Sequence, residues 1–409
     1  MKVCVVSQQQ TGGGFTFEME LLSALSDLVD ESRHSFTVLA SSNKNFDSIS
    51  SYVRSPRLEI SKLPKLTPQD AKNTRRIHSF TNYIRGLKDA RKDNIATSSI
   101  SHNQLELFAN ERGIQLIWFL GQVYENIPDV PYFATLWDLQ HRLQPFFPEV
   151  GNGGIWEYRE AGLSRYLRRA TMIITGSKTA QAEIERFYQV PPERIKILPH
   201  PTPQFSLQPP IVNDNEVLTK YGISEGYLFY PAQFWPHKNH INLLYALHFL
   251  REHYGLLINM VFVGTDTGNK EYVQQMIDEL NLSSQVNIFG FVLQTDLIAL
   301  YRKAFALTYL TFFGPDNLPP LEAFALGCPV IASNVSGAHE QLKNAALLVN
   351  PNDPQKIAQA ILQLHTDQKL RISLVQRGRK LASSWNNHDF IRGVFETLDD
   401  FEKLRRCWI

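Results

Sequence analysis

Glycines between an apolar run and a helical pattern form the first stretch of this sequence with residues suited to binding or catalysis. In "VVSQQQTGGGFTFEMELL", Gly12-Gly13-Gly14 follow a predicted strand. Glycines let backbone N–H groups approach a phosphate, and a helix N-terminus adds positive partial charge. A tight turn would use the same residues, and the third glycine of the dinucleotide fingerprint is missing. Both interpretations stay open, while the absence of a G-x-x-x-x-G-K-[ST] loop argues against a P-loop ATPase.

The second stretch, "YLFYPAQFWPHKNHINLLYAL", predicts a strand, a loop with Gln233, His237 and Lys238, and a helix from about Asn239. A lysine at the carboxyl end of a strand stands where anions bind in open α/β sheets. We therefore predict that Lys238 neutralises a leaving diphosphate. His237 and His240 also suit a metal, but no third ligand accompanies them, so we expect no metal site.

The third stretch, "FFGPDNLPPLEAFALGCPVIAS", predicts a helix of about two turns. Pro319-Pro320 should open it, because proline is tolerated in the first helical turn, and Gly327 should close it. Glu322 is expected in the first turn, where the helix dipole favours a carboxylate. The dipole alone explains Glu322 as well as a binding role does.

The fourth stretch, "ATLWDLQHRLQPFFPE", places Asp138 and His141 after a predicted strand. A carboxylate and an imidazole at a strand end can form an acid/base pair. Asp138 could equally cap a helix, with His141 as an ordinary surface histidine.

The residues discussed above lie in or next to elements that the sequence also predicts. Twelve short runs rich in β-branched and aromatic residues alternate with helical patterns. Runs this apolar predict strands that are covered on both faces, and their alternation with helices predicts two doubly wound, mostly parallel α/β sheets. The runs are "KVCVVS", "FTVLA", "QLIWFL", "YFATLW", "MIITGS", "IKILP", "YLFYPA", "NMVFVG", "VNIFG", "FALTYL", "PVIAS" and "ALLVN".

The chain length of 409 residues predicts two domains. A proline-rich stretch at about 199–215 has few helix formers and resembles a linker. We predict an N-terminal domain at 1–205, a C-terminal domain at 206–385, and a final helix at 386–409 that can pack back on the first domain.

Bulk composition excludes several protein classes. The formal charge of +1 excludes a generally polybasic nucleic-acid binder. Cys4, Cys328 and Cys407 are scattered, which suits a reducing compartment rather than a disulfide framework. No run approaches the roughly 18–20 apolar residues of a membrane span. We expect a cytoplasmic protein.

One segment departs from this balance. Between Arg54 and Lys92 the chain has eleven basic and three acidic residues. Such a run is commonly a solvated helical face. It would also suit an anionic acceptor or the inner face of a membrane, as a peripheral contact.

Taken in order, these motifs resemble the nucleotide-sugar-dependent glycosyltransferases of family four. The likeness is strongest over 227–361, in "PAQFWPHKNH", in the stretch from "FGFVLQTDL" to "SGAHEQL", and in "ALLVNPNDPQKIAQAI". It implies the GT-B fold, with two facing Rossmann-like domains and the active site in an interdomain cleft. It also implies that the N-terminal domain at 1–205 binds the acceptor and that the C-terminal domain at 206–385 binds the nucleotide sugar. It also implies no cofactor and no bound divalent metal, with a nucleotide-diphosphate sugar as co-substrate.

The resemblance assigns roles residue by residue. Gly13 and Gly14 match a loop that reaches the diphosphate, and Lys238 matches a diphosphate-binding lysine. Glu322 matches the second glutamate of a Glu-x7-Glu motif, which takes the ribose hydroxyls, and Asp138 matches an aspartate near the acceptor. The expected donor-binding residues are Gly13, Gly14, Gln233, Lys238, Gly290, Phe291, Val292, Asp316, Asn317, Leu318 and Glu322, and the expected catalytic residues are Asp138, His141 and Lys238.

The sequence also departs from the family pattern. Gly314 stands where the first glutamate, which contacts the donor sugar, is expected, so Asp316 or Asn317 would have to replace it. Gln233 and His237 each replace an arginine. Trp137 stands where the family has a histidine, and His141 is the candidate substitute for it. His200 stands where the family has an asparagine at the domain hinge.

The resemblance implies transfer of a hexose-type sugar to a hydroxyl of a glycan or lipid-linked acceptor, with retention of configuration, in polysaccharide assembly. Two rivals remain, a nucleotide-sugar epimerase and a non-catalytic nucleotide-sugar-binding protein of the same fold. An NAD-dependent oxidoreductase lacks its fingerprint.

Overall fold

The apolar runs of the sequence form two parallel sheets. The computed structural model describes residues 1–8, 12–64, 102–124 and 127–408. The first sheet has the order β3-β2-β1-β4-β5-β6-β7. Its strands are β1 (Lys2–Ser7), β2 (Ser35–Ala40), β3 (Leu58–Lys62), β4 (Leu116–Phe119), β5 (Tyr132–Leu136), β6 (Met172–Thr175) and β7 (Ile195–Ile197).

The second sheet has the order β10-β9-β8-β11-β12-β13, and all its pairings are parallel. Its strands are β8 (Leu228–Pro231), β9 (Met260–Val263), β10 (Val286–Phe289), β11 (Ala306–Tyr309), β12 (Val330–Ser333) and β13 (Ala346–Val349). The predicted fold class, two doubly wound parallel α/β sheets, is confirmed.

Each of the twelve predicted runs contains a strand, but the sequence prediction missed β3. This strand pairs only with β2, at the edge of the first sheet. Glu59 and Lys62 are exposed while Leu58 is buried. An edge strand with a half-exposed surface needs no continuous apolar run, and the predictions relied on such runs.

Helices cover both sheets. In the part of the chain that the structure describes, the α-helices are Gly12–Leu28, Asn43–Ser50, His102–Arg112, Gln140–Leu143, Pro148–Gly151, Ile155–Arg169, Lys178–Tyr188, Gln204–Leu207, Asp214–Tyr221, His240–Tyr254, Lys270–Glu279, Gln294–Lys303, Leu318–Leu326, Ala338–Leu342, Pro354–Thr366, Gln368–Ala382 and Asn387–Arg405. Short 3₁₀ helices occur at Val29–Glu31, Pro192–Arg194 and Pro236–Lys238.

The chain divides into two units, one formed by 1–198 with 387–409 and the other by 199–386. The division therefore falls seven residues before the boundary predicted at 205/206, and the proline-rich stretch belongs to the second unit. Helix Asn387–Arg405 belongs to the first unit. The ring centroid of Phe395 in this helix lies 5.6 Å from that of Phe36, and the ring centroid of Phe401 lies 6.1 Å from that of Phe133.

Each sheet reverses its strand order once. In the first sheet the reversal lies between β1 and β4, and in the second it lies between β8 and β11. Connections leave the two neighbouring strands toward opposite faces of the sheet at such a point. A crevice opens there at the carboxyl ends of the strands, and ligands of open α/β sheets bind in it.

Among the described residues, no helix combines the length and the apolar composition that crossing a membrane would need. Most of the basic segment predicted to contact an anionic surface, residues 65–92 of Arg54–Lys92, lies outside the described part of the chain.

Candidate functional site

The loop after β8 carries Lys238 to the crevice of the second sheet. The loop turns through the 3₁₀ helix Pro236–Lys238, and Asn239 continues it in the left-handed region at φ 58°. The Asn239 side-chain amide, which is buried, donates to the carbonyls of Leu310 and Pro351 at 2.9 Å each. These two bonds fix the turn that positions Lys238.

Lys238 bridges the two strands at the reversal point. Its Nζ donates to the hydroxyl of Tyr309, the last residue of β11, at 3.2 Å. Its carbonyl accepts a hydrogen bond from Tyr230 of β8 at 2.5 Å. An ammonium group has three N–H donors, so the bond to Tyr309 leaves capacity for an anion. The positive charge therefore lies where the fold places ligands.

The short helix in the third stretch runs from Leu318 to Leu326. Pro319 and Pro320 lie in its first turn, and Gly327 ends it in the left-handed region at φ 78°. These features confirm the predicted start and end. Glu322, however, is the fifth helical residue, so the prediction that it lies in the first turn is wrong. The helix dipole, which acts mainly on the first turn, is no longer a sufficient reason for this carboxylate.

A buried tyrosine orients Glu322. The Tyr301 hydroxyl donates to Glu322 Oε2 at 2.7 Å. Burial first, and the neighbouring carboxylate second, raise the pKa of Tyr301 well above its usual value, so its hydroxyl keeps its proton. Glu322 itself is 8% exposed. A carboxylate held in this way at the carboxyl end of the sheet can accept hydrogen bonds from vicinal hydroxyls.

The loop before this helix is locked by its own amides. Asn317 Nδ2 donates to the Gly314 carbonyl at 2.7 Å, while Gln341 accepts from the Asn317 N–H at 3.1 Å and donates to its carbonyl at 2.9 Å. Gly314 has φ 139°, and a Cβ atom there would lie 2.5 Å from Asn317 Oδ1. Asn317 thus holds the loop rather than replacing the missing glutamate.

Asp316 is the acidic side chain of this loop. Its side chain is 6% exposed, and its Oδ2 lies 4.0 Å from His200 Nδ1. Burial, followed by the charge of Glu340, raises the pKa of Asp316 to about 7. Burial lowers the pKa of His200 to about 4. Near neutral pH the histidine is uncharged and the aspartate is poised between its two protonation states.

The other predicted residues of the β8 loop have local partners. Gln233 donates to Thr265 Oγ1 and accepts from Trp235 Nε1, both at 3.1 Å. The His237 carbonyl accepts from the Phe312 N–H at 2.8 Å, which joins this loop to the one after β11. The two loops at the reversal point are therefore fixed to each other.

Gly290, Phe291 and Val292 follow β10, two strands away from β8. Two strand spacings amount to roughly 10 Å, about the length of a nucleoside. Phe291 is 80% exposed, whereas Val292 is buried. The turn can therefore present backbone groups and an aromatic ring at the far end of the crevice.

In the first unit, Gly13 and Gly14 lie within the first turn of helix Gly12–Leu28 instead of in a loop before it. The helix begins at Gly12, three residues earlier than the sequence indicated. Its first-turn N–H groups have no intrahelical acceptor. They remain suited to an anion, as the glycine motif implied.

The sequence reasoning missed Glu18 in this helix. Glu18 is fully buried, and its Oε2 accepts from Ser7 Oγ at 2.7 Å and from the Gln8 N–H at 3.0 Å. Gly121 leaves room for Glu18 Oε1, because a Cβ atom at position 121 would collide with that oxygen. The available signal was an acidic residue between Phe17 and Met19, both of which are buried.

Asp138 lies after β5 and makes a partly buried ion pair with Arg159. Its Oδ1 accepts from Arg159 Nη2 at 2.6 Å and from the Gln140 N–H at 2.9 Å. Burial alone would raise the pKa of Asp138, but Arg159 and the Gln140 N–H together hold it below its usual value. Asp138 does not cap helix Gln140–Leu143, whose capping position is Leu139. It stays ionised and about a third of its side chain is exposed.

His141 does not share this exposure. Its side chain is fully buried, and Nε2 lies 3.2 Å from both Glu160 Oε2 and the Tyr188 hydroxyl. Burial, reinforced by the charge of Arg159, lowers the pKa of His141 to about 4. His141 is therefore not the ordinary surface histidine that the sequence also allowed, and its acid/base role stays a prediction. The hydrophobic spacing of the short helix did not predict this burial of His141.

Two groups of histidine and carboxylate side chains among the described residues come close enough together to hold a metal ion. They are His34 with Asp399 and Glu402, and His102 with Glu106 and Asp129. In the first group Arg33 already binds Asp399 at 2.7 Å and Glu402 at 3.0 Å. Neither group contains a predicted site residue.

Comparisons with known proteins agree with this architecture. The family model for glycosyl transferases group 1 matches residues 219–381. The chain is 29% identical over 233 residues to O-antigen chain mannosyltransferase B of Escherichia coli, which covers 56% of the chain and 61% of that protein. It is 30% identical over 199 residues to O-antigen chain mannosyltransferase RfbU of Salmonella typhimurium, covering 49% and 52%. These matches thus span about half to three fifths of the curated relatives.

Solved structures share the fold across the whole chain. A sucrose-phosphate synthase from Thermosynechococcus elongatus superposes with a TM-score of 0.70 at 17% identity and 100% coverage of both chains. Anabaena HepE in complex with UDP and glucose superposes with a TM-score of 0.67 at 16% identity, covering 98% of this chain and 100% of that one. These identities are too low to show more than a common GT-B fold.

Proposed function

We propose that the chain is a member of the glycosyl transferases group 1, whose family model matches residues 219–381. We propose that it transfers a hexose from a nucleotide-diphosphate sugar to a hydroxyl of a glycan or lipid-linked acceptor. We further propose that transfer retains the anomeric configuration, needs no divalent metal ion and serves polysaccharide assembly. Both bacterial relatives are O-antigen chain mannosyltransferases, so mannose is the first sugar to test.

The observation that carries this proposal is the position of Lys238 and Glu322, which follow the two neighbouring strands at the reversal of the second sheet. Lys238 follows β8 and is held by Tyr309, while Glu322 follows β11 and is held by Tyr301. A cation and an oriented carboxylate at one crevice suit a diphosphate and a ribose, respectively. Peptide dipoles at the start of helix Leu318–Leu326 add to the positive potential.

The roles within the donor site follow from this pairing. Lys238 binds the diphosphate and stabilises the negative charge that develops as the nucleotide leaves. Glu322 accepts hydrogen bonds from the ribose hydroxyls. The turn at 290–292 lies beside the base, and Asp316 reads the sugar. Gln233, Asn317 and Leu318 shape the loops and the helix start around the donor.

In the first unit, the first-turn N–H groups at Gly13 and Gly14 are suited to an anionic group, and Asp138 is the residue that we propose contacts the acceptor. Because Asp138 is ionised and partly exposed, it can accept a hydrogen bond from an acceptor hydroxyl and orient it for attack. Arg159 acts by holding Asp138.

The decisive experiment measures release of free nucleotide from a panel of nucleotide sugars, with GDP-mannose first, with and without a chelator. Lys238→Ala should lower turnover about 100-fold or more, because a preorganised cation at a developing charge typically contributes that much. Turnover in chelator should match turnover with added metal.

Lys356→Ala is the matched control, since Lys356 is an exposed lysine on another helix of the same unit. It should leave nucleotide release unchanged. Unaltered release from Lys238→Ala would rule out the diphosphate assignment, and binding without turnover across the whole panel would favour the non-catalytic alternative. Donor consumption without any acceptor would instead favour the epimerase.

A further inference from the structure

A small pocket lies behind the loop that carries Gly314. Residues at the carboxyl ends of β11 and β12 and from helix Ala338–Leu342 line it, including Tyr309, Gly314, Ser333, Val335, Ala338 and Leu342. The inner space has room for about one water-sized group. The pocket belongs wholly to the second unit.

Ser333 is the polar group of this pocket that stands out. It is the last residue of β12 and is 2% exposed. Its hydroxyl has no hydrogen-bond partner among the residues that the structure describes. A buried hydroxyl ordinarily has a partner, so an unpaired one that lines a pocket indicates a ligand atom that would complete it.

The other polar groups at the pocket are already engaged. Thr311 Oγ1 donates to the Phe313 carbonyl at 2.7 Å. The Gln341 side-chain amide binds the backbone N–H and carbonyl of Asn317, and the Asn317 side-chain amide donates to the Gly314 carbonyl. Most of the remaining wall is apolar, from Val335, Ala338 and Leu342. The pocket therefore offers apolar contact and one available hydroxyl.

Gly314 lines the pocket without filling it, because it has no side chain. A Cβ at this position would meet the Asn317 amide, which lines the same space. The Asn317 side-chain amide cannot move aside without losing its hydrogen bond to the Gly314 carbonyl. A longer side chain at 314 would therefore disrupt the loop or occupy the entrance.

The pocket adjoins the proposed donor site through shared residues. Tyr309 lines the pocket and also holds Lys238 at 3.2 Å. Asn317 lines the pocket and immediately precedes the helix that carries Glu322. Tyr309 thus connects the pocket to the lysine that we propose binds the diphosphate.

We propose that this pocket binds the hydroxymethyl group of the donor hexose and that Ser333 is its specificity-determining residue. The inference rests on the proposed function. The methylene carbon contacts the apolar wall, and the terminal hydroxyl exchanges a hydrogen bond with Ser333. A hydroxymethyl arm reaches one atom further from the ring than a ring hydroxyl does, which suits a recessed partner, and an acetamido group exceeds the space.

The test compares dissociation constants, measured by calorimetry, for two donor pairs: GDP-mannose with GDP-6-deoxymannose, and UDP-glucose with UDP-6-deoxyglucose. For whichever pair binds, wild type should prefer the hydroxymethyl sugar by about tenfold or more, because the 6-deoxy sugar leaves Ser333 unpaired. Ser333→Ala should weaken binding of the hydroxymethyl donor about tenfold and leave the 6-deoxy donor nearly unchanged.

Thr308→Val is the matched control. Thr308 is a fully buried hydroxyl on the adjacent strand, with its own acceptor in the Phe229 carbonyl at 3.4 Å, and it does not line the pocket. It should preserve the preference between the two donors of a pair. Equal losses for both donors in Ser333→Ala, or equal affinities in wild type, would overturn the pocket assignment alone. If wild type binds neither donors nor the free nucleoside diphosphates, the proposed function fails, and this inference fails with it.

Discussion

At the scale of single residues, the proposed donor site depends on two tyrosine hydroxyls. Tyr309 holds Lys238, and Tyr301 holds Glu322, at 3.2 and 2.7 Å respectively. Both tyrosines are buried, so their hydroxyls are fixed in place. A flexible lysine and a glutamate lose less conformational entropy on binding a ligand when they are already oriented.

If Glu322 binds ribose hydroxyls, it should distinguish ribose from deoxyribose. We expect wild type to bind GDP or UDP about tenfold more tightly than the 2′-deoxy form, because loss of one hydrogen bond to a charged group costs about 1.5 kcal/mol or more. Glu322→Ala should erase the difference in calorimetric affinity. Glu271→Ala, which alters an exposed glutamate on another helix, should preserve it. A deoxy preference that survives in Glu322→Ala would disprove the ribose assignment.

Asp316 should make donor binding dependent on pH. With a pKa of about 7, its carboxyl is mostly neutral at pH 6 and mostly ionised at pH 8. The ionised form repels a diphosphate, so donor affinity should fall about three- to tenfold from pH 6 to pH 8. A nucleotide sugar suits the measurement because its phosphates stay ionised throughout.

Asp316→Asn mimics the protonated form and should bind the nucleotide sugar with nearly constant affinity over the same range. This variant separates Asp316 from His200, whose pKa of about 4 keeps it neutral at both pH values. A pH profile that is unchanged in Asp316→Asn would assign the titration to another group.

At the scale of elements, the loop before helix Leu318–Leu326 is fixed from both ends. Asn317 and Gln341 clamp one side, and Gly337 lies so close to the loop that a Cβ there would come within 2.5 Å of the Pro315 carbonyl. A rigid loop can hold Asp316 and the pocket mouth in one geometry. It also limits which side chains position 314 accepts.

Restoring the family's glutamate at position 314 should therefore fail. We expect Gly314→Glu to destabilise the protein by about 1–3 kcal/mol and to weaken donor binding, because it combines positive φ with a collision at Asn317. Chemical denaturation and calorimetry measure the two effects. Gly268→Glu is the control, since Gly268 has φ 104° but open space around its Cβ position. Tighter donor binding by Gly314→Glu would show that the loop can yield.

At the scale of the whole molecule, buried histidines link stability to acidity. His240 is 1% exposed and stacks on Phe234 with ring centroids 4.6 Å apart. Burial, followed by the charges of Lys238 and His237, lowers the pKa of His240 to about 3. His141 and His200 are likewise depressed, to about 4.

This arrangement predicts acid lability with a definite sign. An unfolded histidine binds a proton below about pH 6.5, whereas folded His240 does so only near pH 3. Stability is therefore lost as the pH falls through that window. Between pH 7.5 and pH 5, His240 therefore lowers the free energy of unfolding by about 2 kcal/mol.

His240→Phe should accordingly lose about 2 kcal/mol less unfolding free energy than wild type between pH 7.5 and pH 5. Urea denaturation at the two pH values measures the change. His365→Phe replaces an exposed histidine and should follow wild type. Equal acid sensitivity in His240→Phe and wild type would mean that His240 is protonated in the folded state.

The sequence alone determined the strands, the parallel sheets and the short helix between Pro319 and Gly327, because apolar periodicity, proline and glycine act locally. It also placed Lys238 in the loop after β8 and Glu322 in the helix after β11, since the order of strand, loop and helix is readable along the chain. The edge strand β3 escaped because its pattern is only half apolar.

Only the tertiary structure decided what each polar group faces. It buried His141, paired Asp138 with Arg159, committed Asn317 to the loop and left the Ser333 hydroxyl beside a pocket. These outcomes depend on partners distant in sequence, such as Tyr301 for Glu322 and Gln341 for Asn317. Burial and hydrogen-bond partners are set by packing between elements, and no local pattern encodes them.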